Sequence, residues 1–93
     1  MGYKTKIGEA AQKDLEQIVA HLIDNQSSTA LETVQEIRRK IEALSELPFR
    51  GVVYKEPFRL MTLRNKYRIY YTVDDISREV YVVNIFTPSQ NRP

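Results

Sequence analysis

The chain has 93 residues, 42% of them hydrophobic and 28% charged, with three Gly, four Pro and no Cys. That suits one domain over residues 1–93 rather than two, and it excludes a disordered tail, a fibrous repeat, a disulfide framework and a thiolate metal site. The formal net charge of +2 hides an uneven split: residues 1–49 carry six basic side chains against eight acidic, and residues 50–93 carry eight against four. Tyr3, Thr5 and Ile7 alternate with Lys4 and Lys6, the period of a short strand over 3–7. This opening has no apolar stretch of the kind a secretory signal needs, and no later run approaches the roughly 20 apolar residues of a membrane span. A cytoplasmic protein with no membrane partner is expected.

From Glu9 the period changes. Ala11, Leu15, Ile18 and Leu22 fall at steps of four, three and four, with Val19 and Ile23 widening the stripe, which predicts an amphipathic helix over about 9–25. Asn25 to Ser28 reads as a loop, and Thr29 with Glu32 forms a capping-box sequence. A second helix over about 30–47 follows the stripe Leu31, Val34, Ile37, Ile41 and Leu44, until Pro48 removes the N–H that continuation requires. The short connection implies an antiparallel hairpin. Leu47 to Gly51 separates this half from one with β character. Strands are expected over about 58–63, 67–73 and 80–86, the middle one marked by alternation of Tyr67, Ile69, Tyr71 and Val73 with Arg68, Tyr70 and Thr72. Residues 87–93 read as a tail. A strand, a helical hairpin and a three-stranded antiparallel run make an α+β fold with the helices on one face of the sheet.

The basic excess concentrates between Arg50 and Arg68, where six basic residues meet only Glu56. Three readings fit this cluster: a solvated sheet edge kept from pairing by charge, a surface for nucleic acid or another anion, and a dock for an acidic protein segment. Arg59, Arg64, Lys66 and Arg68 lie on two adjoining strands and their turn, and an Arg fork suits phosphate oxygens. Arg68 is expected to join Arg59 or Arg64 in one positive surface. Tyr67 and Tyr71 share the apolar alternation and are expected in the core, whereas Tyr70 shares the face of Arg68. His21 reads as a helix-surface residue. One His without Cys cannot assemble a zinc site, and three scattered glycines make no phosphate loop, so no metal and no cofactor are expected.

The order Ala11, Asp14-Leu15, Ile18, then Ile41 to Leu44, Pro48 and Gly51, then Arg59 and Tyr67 to Val73, then Val82 to Phe86 resembles the RelE/ParE superfamily of type II toxin–antitoxin toxins. The resemblance runs from Tyr3 to about Asn91. The Leu44–Gly51 exit and the long hairpin look more like the ParE branch, associated with plasmid stabilization. It implies a growth-inhibiting toxin neutralised by a cognate antitoxin protein. The target implied is DNA gyrase in ParE-like members, or messenger RNA on the ribosome in RelE-like mRNA interferases. An inactive member that keeps only antitoxin binding is a third possibility.

Metal-independent RNA cleavage needs a base for the attacking 2′-hydroxyl, positive charge for the phosphorane and an acid for the leaving oxygen. Arg68 coincides with an arginine of RNA-cutting members, and Arg64 and Arg59 are the other candidates for such a site. The acid–base set is incomplete: Leu60 and Thr62 stand near the positions where RelE-like members carry lysines, and the tail lacks both Tyr and His. Glu56 is an isolated carboxylate in a loop. The candidate target-binding residues are therefore Arg59, Arg64, Lys66, Arg68, Tyr70, Gln90 and Arg92, and the ParE-like, non-enzymatic reading is preferred.

Overall fold

The computed structural model describes residues 2–25, 28–64 and 66–87. The elements are β1 (Lys4–Ile7), α1 (Glu9–Asp24), α2 (Ala30–Ala43), β2 (Val52–Lys55), β3 (Phe58–Leu63), β4 (Tyr67–Asp74) and β5 (Glu79–Phe86). The strands form one sheet in the order β1-β5-β4-β3-β2. β1 runs parallel to β5, and the other neighbours are antiparallel. The α+β class, the leading strand and the helical pair follow the sequence pattern.

The run after the helices has four strands where three are expected. β2 escapes the pattern because it is an edge strand of four residues, all exposed, with Val52, Val53 and Tyr54 in an unbroken apolar run. Nothing alternates there to reveal a period. Its edge is blunted by Lys55 and by a register irregularity between Val53 and Lys55, both of which discourage pairing with another chain. At the opposite edge, Lys6 of β1 pairs with Glu79 at 3.2 Å.

α1 buries Ala11, Leu15, Ile18 and Leu22, the expected stripe, while Ile23 stays 61% exposed. Asn25 closes the helix, its N–H and its Nδ2 both donating to the His21 carbonyl at 3.1 and 2.9 Å. α2 departs from the expectation at both ends. Its buried residues are Thr33, Ile37 and Ile41, and Leu31 is 70% exposed. Steps of three turn a helix position back by about 60° each, so Leu31 stands some 120° from Ile37 whereas Thr33 stands only about 40° from it. Thr29 is the N-cap, but its side chain makes no capping hydrogen bond. The helix ends at Ala43 rather than near 47. Leu44, Ser45 and Glu46 donate to carbonyls three residues back, tightening the chain before Pro48, which disfavours helical geometry in Leu47.

The core lies between the helices and one face of the sheet. Ala11, Leu15, Ile18, Ile37, Ile41 and Leu44 meet Met61, Leu63, Tyr67, Ile69, Tyr71, Val80, Val82 and Ile85 there. Each large side chain buried in this way contributes roughly 1.5–3 kcal/mol. Tyr67 and Tyr71 are 3% and 0% exposed, as the alternation of β4 implies.

Candidate functional site

Strand register sorts the candidate residues between the two faces of the sheet. Arg59 pairs with Tyr71, Met61 with Ile69 and Leu63 with Tyr67, which places Arg59 on the helix side. Leu60 pairs with Tyr70 and Thr62 with Arg68, which places Arg68 and Tyr70 on the outer side. The single positive surface expected from Arg68 with Arg59 or Arg64 does not form. Arg59, at an odd position on β3, and Arg68, at an even position on β4, cannot share a face in this register, and Arg64, in the turn after β3, is paired with Glu36 of α2.

Arg59 and Arg64 instead bind the helix-side framework. Arg59 Nη1 donates to the Gly51 carbonyl at 2.8 Å and to the Phe49 carbonyl at 3.4 Å, and its guanidinium lies 4.9 Å from the centre of the Phe49 ring. It fastens the chain between α2 and β2 onto β3. Beside it the Gly51 N–H donates to the Tyr71 hydroxyl at 2.8 Å. Burial pushes the Tyr71 hydroxyl pKa up, a rise partly offset by the Gly51 N–H and the Arg59 charge. Arg64 takes a positive φ of 57° in the β3–β4 turn, forms an ion pair with Glu36 of α2 and reaches Thr33 Oγ1 at 3.4 Å. Lys66, in the same turn, lies 5.8 Å from the Tyr67 ring centre. Gln90 and Arg92 lie outside the described residues. Glu56 and His21 are exposed.

The outer face is apolar where Arg68 borders it. The Tyr70 ring stands edge-on between Tyr54, with centroids 5.5 Å apart, and Phe86, at 5.1 Å. Tyr70 is only 7% exposed, although it faces away from the helices. Desolvation raises its pKa, the nearby Tyr54 hydroxyl adds to the rise, and the Arg68 charge opposes it. These rings, with Lys55, Phe58, Val83 and Asn84, line an open cleft of about 190 Å³. Arg68 pairs with Phe86 across the strands and is half-buried at this cleft's flank.

A bulge in β5 shapes one wall. Tyr70 pairs with Asn84 and Tyr71 with Val82, so Val83 is an extra residue. Asp14 of α1 closes this irregularity: its Oδ2 accepts the Ile85 N–H at 2.9 Å and Asn84 Nδ2 at 3.1 Å. Of the residues expected from the sequence, Arg68 and Tyr70 lie on this face, whereas Tyr54, Phe58, Val83, Asn84 and Phe86, which line the cleft with Tyr70, are not among the candidates. The signal for them is the doublets Tyr70-Tyr71, Val82-Val83 and Ile85-Phe86, since apolar neighbours in a strand imply apolar surroundings on both faces. Among the described residues, no group of three or more His, Asp or Glu side chains is placed to hold a metal ion. No helix there is long and apolar enough to cross a membrane.

Residues 6–92 match the family described as the ParE toxin of type II toxin–antitoxin systems, parDE. The chain belongs to this family. It is thus a type II toxin of the RelE/ParE group. No curated protein matches the sequence. Among solved structures, the chromosomal ParDE system of Pseudomonas aeruginosa is similar at 21% identity and a TM-score of 0.76, over 91% of this chain and 95% of that one. A mutant of the Escherichia coli toxin RelE in its free state is similar at 20% identity and 0.69, over 98% and 88%. The intact RelBE toxin–antitoxin complex of Escherichia coli is similar at 20% identity and 0.66, over 91% and 95%. At these identities the likeness is one of fold.

Proposed function

We propose that this toxin is a ParE-like inhibitor of DNA gyrase that engages its target through the outer sheet face. A cognate antitoxin encoded beside it, binding in the cytoplasm, holds it in check. The observation that carries this reading is what surrounds Arg68: Leu60, Thr62, Tyr70 and Phe86 share its face. A half-buried cation beside an apolar cleft suits a protein segment with an apolar anchor and an acidic neighbour. Proton transfer to and from RNA is poorly served there. Of those neighbours only Tyr70 carries a titratable hydroxyl, and desolvation makes it a weaker acid than an ordinary tyrosine. Arg59 and Arg64, the other cations an RNA-cutting site would draw on, are bonded on the helix side. The antitoxin reading is supported by fold-level neighbours that are toxin–antitoxin complexes.

Induction of the chain in growing cells tests both parts. Growth stops with a DNA-damage response while bulk translation continues at first, and co-expression of the adjacent small protein restores growth. Immediate arrest of protein synthesis, with messages cleaved in phase with codons on ribosomes, overturns gyrase in favour of an mRNA interferase.

A further inference from the structure

Asp14 sits on α1 next to the buried Leu15, yet its two carboxylate contacts are on β5, 70 and 71 residues away in the chain. Both hold the bulge. Ile85 stays paired with Ile69 of β4, but it lies two residues past the extra Val83 and beyond the last β1–β5 pair, Ile7 with Val82, where a backbone donor needs an acceptor from outside the sheet. A carboxylate supplies a charge-assisted bond, roughly twice as strong as a neutral one. Its bond to the Asn84 amide fixes the neighbouring side chain as well. The bulge residues Val83 and Asn84 are also the β5 wall of the outer cleft. A helix carboxylate thus sets the shape of a surface that also takes in the outward-facing Tyr70.

We propose that Asp14 is a positioning residue for target recognition: it does not touch the target, but fixes the β5 bulge so that Val83 and Asn84 complete the cleft beside Tyr70. The proposal rests on the outer face being the target-binding face. It differs from a simple stabilising role in what it requires of Asp14 variants that remain folded.

The test compares Asp14→Ala, Asp14→Asn and Ile41→Val, the last a mild core change on α2, well below their melting temperatures. For each, the concentration giving half-inhibition of gyrase supercoiling and the inducer dose giving growth arrest are measured. The NMR signals of the Val83 methyls and the Tyr70 ring are followed in parallel. Asp14→Ala is expected to shift those signals and to weaken inhibition by about tenfold, comparable to losing one good hydrogen-bond partner at a buried donor. Asp14→Asn, which keeps a neutral acceptor for Ile85, is expected to lose only about twofold to threefold. Ile41→Val keeps full potency. If Asp14→Ala and Ile41→Val weaken inhibition equally, or if Asp14→Ala leaves Val83 and Tyr70 signals in place, the proposal is overturned. Should Asp14→Ala fail to fold, the Asp14→Asn signals and potency decide alone. A wild-type protein that arrests growth without inhibiting gyrase sinks the gyrase reading only, because the growth-arrest dose still ranks the variants.

Discussion

The Gly51 amide donates a 2.8 Å hydrogen bond to the Tyr71 hydroxyl in the protein interior, 20 residues further along the chain. This bond fixes the exit from the helical hairpin against the central strand of the sheet. Arg59 adds a second fastening by donating to the carbonyl of the same glycine. Tyr71→Phe removes the acceptor but leaves the Gly51 N–H buried, at a cost of about 1–3 kcal/mol. For a domain of this size each kcal/mol corresponds to about 4–8 °C in melting temperature. Thermal unfolding of Tyr71→Phe should show a loss on that scale, with toxicity retained wherever the variant is folded. An unchanged melting temperature would mean that the amide finds another partner.

Gly8, at the start of α1, and Gly51, just before β2, respond differently to a methyl group. At Gly51 an added Cβ meets the Tyr71 hydroxyl at 2.6 Å and the Leu60 carbonyl at 2.8 Å, one side chain fully buried and one backbone atom. At Gly8 the atoms nearest the added Cβ belong to the ring and hydroxyl of Tyr81, which is 46% exposed and can swing away. Gly51→Ala should therefore destabilise by several-fold more than Gly8→Ala in urea titrations. Equal effects would show that the Gly51 loop moves freely.

The fold was legible where burial is one-sided. α1 has one apolar period, and β4 keeps a clear one on its helix side although Tyr70 is buried on the other face, so Ala11 to Leu22 and Tyr67 to Val73 announce their type and the face that meets the core. β2 was not legible, because an exposed edge strand has no buried face to impose a period. Arg68 was legible as a site candidate from its strand, whereas grouping it with Arg59 required the register, which a sequence does not show. The cleft was hidden for a related reason: Tyr54, Tyr70 and Phe86 come from three strands, and the bulge that admits Val83 is bridged by a residue on α1.

Arg59→Ala and Arg68→Ala should separate stability from toxicity. The first loses two carbonyl partners and the Phe49 ring contact, so its melting temperature falls while the outer face survives. The second removes charge from the cleft's flank and little core, so toxicity falls sharply with a small thermal effect. Arg68→Lys keeps charge without the fork and should be partly toxic. Growth-arrest assays and melting curves on the same variants check this. A fully toxic Arg68→Ala protein would remove that residue from the site.

Alkaline pH should weaken the fold through its tyrosines. Burial raises the pKa of Tyr67, Tyr70 and Tyr71 above the ordinary value of 10.0. Below that value both folded and unfolded chains keep these protons, so the contribution to stability is complete. Above it the unfolded chain ionises first, and stability falls as pH rises toward and through the folded-state values. Urea midpoints at successive pH values above 9 should decline, and Tyr67→Phe should shallow that decline. A midpoint independent of pH in this range would contradict the burial of these hydroxyls.

The most direct measurement is gyrase-catalysed supercoiling of relaxed plasmid in the presence of the purified toxin, with a reconstituted translation reaction run alongside. The wild-type protein should block supercoiling, Arg68→Ala should not, the cognate antitoxin should reverse the block, and translation should proceed. Unimpaired supercoiling together with cleaved messenger RNA on the ribosomes would contradict a gyrase inhibitor acting through the outer face.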